Sequence, residues 1–190
     1  GGREAGWGTP LAQPQTRRAG RTDRGRRYGF HATRKAPFRL AEGQTEEDLF
    51  AAVDVFASEV RPFGIDGLRV ASIDGFLALV ADGDSAALNA FAAMVVTRFE
   101  RFRAPMTDAE RARRNPDRLT ARQRELLDAY GYPFVFDEFL FHMTLSDRLS
   151  TEQNAVLCPL AEAIFDPVMP RPFRFDQIAV FGEFEDGVFH

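Results

Sequence analysis

From residue 28 onward the chain switches between two apolar rhythms, one of period two and one near 3.6. Residues 28–40 read as a strand broken near Pro37. Thr45, followed at the third helical position by Asp48, opens a helix in a weaker form of the capping box, with Leu49, Ala52, Val53 and Phe56 on its apolar face. Residues 68–73 and 76–81 are short strands, and Asp74-Gly75 between them is a two-residue hairpin signal. Leu88, Phe91, Ala92, Val95 and Phe99 give a second helix over 85–103. A charged segment follows, then a helix over 120–129 ended by Gly131 and Pro133. Residues 139–145 form a strand, 151–165 a helix after a Ser150 cap, and 173–181 a strand, with Asp186-Gly187 as a further turn. Residues 1–27 follow neither rhythm and read as a loop or tail.

This order of elements suggests a duplication. His31-Ala-Thr33 matches His142-Met-Thr144 at an offset of 111 (31 to 142), and residues 65–70 face 175–180 at an offset of 110 (65 to 175). The expectation is an α+β fold of two pseudo-symmetric lobes, each an antiparallel sheet with helices on its outer face. Lobe one covers about 28–104, a helical insertion about 105–132, and lobe two about 133–190, all within one domain.

Composition narrows the setting. A chain of 190 residues with 45% hydrophobic and 27% charged residues is ordinary for a globular protein. No apolar run is long enough to span a membrane, and the amino end shows no apolar leader. A single cysteine, Cys158, fits a reducing cytoplasm and has the helical spacing of a packed residue. The net charge of −4 conceals a basic stretch at 98–124, with nine arginines against four acids. Such a patch suits a solvated helix face, and it also suits a phosphate-bearing partner such as an RNA end.

Two of the three histidines lie in His-x-Thr. Alternation in a strand places His31 with Thr33, and His142 with Thr144, on one face, while Phe30, Ala32, Phe141, Met143 and Leu145 point into the core. Two facing imidazoles can supply a base and an acid near neutral pH, and threonine hydroxyls can hold phosphoryl oxygens. No metal-binding motif accompanies them, so neither a metal nor another cofactor is expected. His190 reads as an unconnected tail residue.

Paired His-x-Thr in a bilobed α+β chain resembles the 2H phosphoesterase superfamily. The runs 28–38 and 137–145, with Phe102-Arg-Ala-Pro105 and residues 118–124, look like one bacterial branch of it, labelled as a phosphonate-metabolism protein. The resemblance implies a 2H phosphoesterase-like fold with His31, Thr33, His142 and Thr144 as the catalytic set. It also implies a metal-independent hydrolase that opens a small cyclic sugar or nucleotide phosphodiester. Which histidine is acid and which base stays open. The rival readings are an RNA-end or nucleotide binding module and a 2′-5′ RNA phosphodiesterase or ligase.

Five more residues are candidates for holding substrate. Lys35, the only lysine, shares the His31 and Thr33 face if the strand continues. Tyr28 reaches the groove only if the chain bends. Arg103 precedes Pro105 and could hook inward, Arg148 follows the second motif by four residues, and Tyr132 could wall a sugar or base pocket. Arg34 puts a charge on the face assigned to the core.

Overall fold

The computed structural model describes residues 31–182. Tyr28, Phe30, Asp186-Gly187 and His190 therefore lie outside the described residues. Helix α1 (Glu46–Glu59) starts as its sequence requires: the Thr45 hydroxyl accepts from the Asp48 backbone N–H, and the Asp48 carboxylate accepts from the Thr45 backbone N–H. Strand β1 (Phe63–Ile65) then leads into β2 (Gly67–Ile73) and β3 (Phe76–Asp82). Asp74 and Gly75 both have positive φ, 46° and 86°, the geometry of the hairpin turn that an Asp-Gly pair favours. Helix α2 (Ala86–Phe99) continues into a 3-10 turn at Glu100–Phe102. The charged segment contains a short helix that the apolar pattern did not mark, α3 (Asp108–Arg113), capped by Thr107 and Glu110. Helix α4 (Ala121–Tyr130) begins at a Thr120 cap and ends at Gly131, whose φ of 73° suits glycine. Strand β4 (His142–Thr144), helix α5 (Thr151–Phe165) and strand β5 (Phe173–Phe175) follow.

The strands form two antiparallel sheets, β1–β5 and β2–β3–β4, in an α+β arrangement. Both sheets therefore combine strands from the two halves of the sequence. The register of β1 and β5 is that of a local pseudo-two-fold axis. Gly64 pairs with Arg174, its own counterpart at the offset of 110, while Phe63↔Phe175 and Ile65↔Phe173 exchange under the same operation. The offset read from sequence thus reappears as a pairing rule in space.

Two main clusters hold these layers. Ala52 and Phe56 of α1 pack with Phe91, Val95 and Phe99 of α2 and with Phe102, and Ile178 joins them from the second half. Leu68, Val70 and Leu79 of the hairpin pack with Ile65, Leu88 and Phe141, covered by Cys158, Ala161 and Phe165 of α5. The Asn154 amide of α5 donates to the Ser72 hydroxyl of β2 at 2.6 Å. Helices of one half thus cover strands of the other.

Two expected strands are corrected. Residues 31–39 form no ladder among the described residues, and pairing begins at a single bridge, Leu40↔Arg103. The extended segment is held by side chains instead. Likewise β5 stops at Phe175, and 176–182 run on without regular pairing among the described residues.

Candidate functional site

His142 and Thr144 stand on β4, opposite Val80 and Ala78 of β3. Directly paired residues share a face, so the imidazole and hydroxyl lie beside Val80 and Ala78, both buried. The His142 ring sits 6.0 Å from that of Phe76, and its Nδ1 is 3.0 Å from the Leu140 carbonyl. With Nδ1 donating to that carbonyl, Nε2 is the nitrogen available to a ligand. Both residues are half-buried, while Met143 packs into the hairpin core on the opposite side.

His31 is half-buried against Phe181, ring centroids 5.7 Å apart, and Thr33 is exposed. Ala32 between them packs into the same core cluster as Met143. Residues 32 and 143, the middle positions of the two motifs, therefore meet one cluster.

Lys35 is committed elsewhere. Its ammonium, with the side chain only 9% exposed, binds the Glu100 carboxylate at 2.6 Å and lies 3.5 Å from the Val96 carbonyl. Burial pushes its pKa down, and the Glu100 contact partly offsets this. Arg103 shares that carboxylate, donating from Nε to Oε1 at 2.7 Å, and reaches the Ala129 carbonyl at 3.0 Å. Lys35 and Arg103 thus brace α2 and α4 rather than standing open to a ligand. Tyr132 packs beside Val96, Leu126 and Val135 with the Arg114 guanidinium over its ring, and burial raises its pKa. Arg148 lies against the Asp74-Gly75 turn, where its Cγ would be 3.4 Å from a Cβ at Gly75.

One residue near the motifs received no ligand role from the pattern. Arg34 lies over the Phe141 ring at 4.6 Å and the Phe175 ring at 5.4 Å. Its parity with Ala32 announced the inward direction, but no local signal announced the rings.

Four of the nine arginines of the basic stretch are ion-paired. Arg111 pairs with Asp128, Arg122 with Asp137 and Glu125, Arg98 with Glu59, and Arg103 with Glu100. Among the described residues no metal-ligating side chains cluster, and no helix is long and apolar enough to cross a membrane.

A family model described as "Protein of unknown function (DUF1045)" matches residues 33–190. The chain belongs to that family. Two curated relatives of this DUF1045 chain are named ribose 1,5-bisphosphate phosphokinase PhnN. The protein from Janthinobacterium sp. (strain Marseille) is 41% identical over 138 residues, covering 73% of this chain and 30% of that protein. The one from Laribacter hongkongensis (strain HLHK9) is 34% identical over 197 residues, covering 98% and 44% respectively. The chain thus spans less than half the length of the curated relatives it matches. No solved structure matches it significantly.

These names correct the functional expectation. A phosphokinase is a transferase that moves a phosphoryl group between molecules, whereas the paired histidines had been read as the acid and base of a hydrolase opening a cyclic phosphodiester. That hydrolase assignment is withdrawn, together with its RNA-cleaving and RNA-joining variants. The reason it misled is chemical. Imidazole and hydroxyl pairs suit any phosphoester ligand, and they do not specify whether water or another acceptor receives the group.

Proposed function

We propose that the chain binds a phosphorylated sugar of the ribose bisphosphate class in phosphonate metabolism, and serves the sugar side of the phosphoryl transfer for which its relatives are named. The observation that carries this reading is the placement of the two motifs. Ala32 and Met143, the middle residues of the two motifs, enter one core cluster, and His31, Thr33, His142 and Thr144 are the donors next to them in sequence. Imidazole N–H groups and threonine hydroxyls are suited to phosphoryl oxygens, and the half-buried position of His142 strengthens each such bond relative to open water. Lys35, the only lysine, is bound to Glu100 and does not stand in a glycine-rich loop of the kind that cradles nucleotide phosphates. This favours the sugar rather than the nucleotide as the ligand here. The likeness to 2H phosphoesterases is part of the proposal as architecture only. The matched motifs and the two-fold register of β1 and β5 support it, and the hydrolytic activity is not carried over.

Calorimetric titration with ribose 1,5-bisphosphate tests the reading, using the full chain and its H31A and H142A variants. Loss of a hydrogen bond to a charged phosphate should weaken binding by roughly tenfold or more in each variant. Unchanged affinity in both would remove the histidines from the site. ATP-dependent consumption of the bisphosphate by this chain would widen the role from binding to catalysis.

A further inference from the structure

Helix α5 is apolar on two faces. Inward, Cys158, Ala161 and Phe165 cover the hairpin core. Outward, Val156, Leu160 and Ile164 recur every fourth residue, Val168 continues the row just past the helix end, and all four are 54–73% exposed. The residue before each of the four is alanine or proline, and Glu162 is the only charged residue between 155 and 165. Single exposed apolar residues are ordinary on a protein surface, whereas a contiguous row marks an interaction site. A helix that is apolar on both sides has the pattern of one covered on both sides. Rows four residues apart also form the ridge that fits a groove on another helix. From Val156 to Ile164 that ridge is about 12 Å long.

The surrounding charge restricts the occupant. Glu152, Glu162 and Asp166 are the charged residues of 149–170, and no lysine or arginine stands there. A second copy laid on this face would set acids against acids, which opposes self-pairing. A bilayer surface fits poorly too, because helices that lie on lipid carry lysine and arginine beside the apolar face. What remains is another polypeptide with an apolar groove and basic side chains at its rim. The relatives possess further polypeptide: the match to this chain takes up 44% of the Laribacter protein, so more than half of that protein lies outside it.

We infer that the outer face of α5 docks the segment that the phosphokinase-named relatives carry beyond the match. Where the two parts share one chain, their high effective concentration lets a modest interface hold them together. This goes beyond the sugar-phosphate reading and holds whichever phosphate ester the histidines bind.

Cysteine labelling tests it in two proteins, the full chain alone and a fusion in which this chain replaces the matched segment of the Laribacter protein. Both carry I164C with C158A and are treated with a maleimide, and S58C on the exposed side of α1, also with C158A, is the control. The expected result is labelling of I164C at least tenfold slower in the fusion than in the chain alone, with S58C unchanged and with L160E restoring the fast rate at I164C. Equal rates for I164C in the two proteins overturn the proposal. Slow labelling in the chain alone overturns it as well: relief on dilution would assign the face to a second copy, and no relief to a segment of the chain itself. Protection by phosphatidylglycerol vesicles without protection in the fusion would reassign the face to a membrane. If the fusion does not fold, a cysteine at the position aligned with Ile164 in the unfused Laribacter protein decides, slow labelling sustaining the docking and fast labelling overturning it. No sugar phosphate is present in these reactions, so the docking can fail while the titration of the histidine variants succeeds, and the reverse.

Discussion

The two His-x-Thr segments share a sequence and differ in what holds them. The second is a strand. Val80↔His142, Leu79↔Met143 and Ala78↔Thr144 fix it in the ladder, and the backbone N–H groups of Leu145 and Ser146 extend the attachment to the Leu77 carbonyl. The first has no ladder between 31 and 39 among the described residues. Lys35 is tied to Glu100, Arg34 lies across two phenylalanine rings, and backbone pairing resumes only where Ala41 donates to Phe102 and Ala104 to Arg39. A duplicated motif can thus be positioned once by backbone hydrogen bonds and once by charge and aromatic contacts. The two copies should respond to different perturbations.

The largest expected effect comes from Glu100→Ala. This carboxylate serves both Lys35 at 2.6 Å and Arg103 at 2.7 Å, and both cations are largely buried. Removing it leaves two poorly solvated charges without a partner, at a cost of about 3 kcal/mol. Urea unfolding should report that loss. Hydrogen exchange should rise at residues 38–41 while the β3–β4 ladder keeps its protection at moderate urea. Equal loosening of both segments would mean that Glu100 supports the fold at large and not the first motif.

Ser146→Ala is the matching change on the other side. The Ser146 hydroxyl accepts from the Leu77 backbone N–H at 3.0 Å where β4 leaves the sheet, so alanine leaves a partly buried donor unpaired. The expected cost is about 1 kcal/mol, with faster exchange at Leu77 and no change at residues 38–41. A shift at the first segment would refute their independence.

The asymmetry explains what could be read from the chain beforehand. Several elements whose cause is local were visible: the caps at Thr45 and Ser150, the Asp74-Gly75 turn and the Gly131 stop. The doubled offset was visible too, and it reappears in the β1–β5 register. Irregularity at 31–39 was not, because it is set by partners far away in sequence. Glu100 lies 65 residues from Lys35, and Phe141 and Phe175 lie farther still from Arg34. Alternation alone predicts a strand there. For the candidate site, residue types indicated a phosphate ester, and nothing local specified the reaction. Lys35 illustrates the limit: parity put it beside Thr33, while its buried carboxylate partner could not be inferred from spacing.

The smallest effect sharpens the comparison through pH. Just beyond the first motif, Arg39 donates to Glu110 through Nε at 2.8 Å and Nη2 at 3.1 Å, linking this segment to α3. That hydrogen bonding, with a further bond from the Thr107 backbone, lowers the Glu110 pKa from an ordinary 4.5 to about 2. A carboxyl depressed in the folded state contributes its full stability above the unfolded value and loses it as pH falls through the folded one. The stability difference between wild type and Arg39→Met should therefore be constant above about pH 5, then shrink towards zero near pH 2. Because the pair is exposed, the difference should be small and should fall further in high salt. Urea midpoints of both proteins at several pH values across that range measure it. The same series on Ser146→Ala should run parallel to wild type, since no ionised group changes its partner there. A pH-dependent gap in Ser146→Ala, or a flat one in Arg39→Met, would show that charge does not distinguish the anchoring of the two motifs.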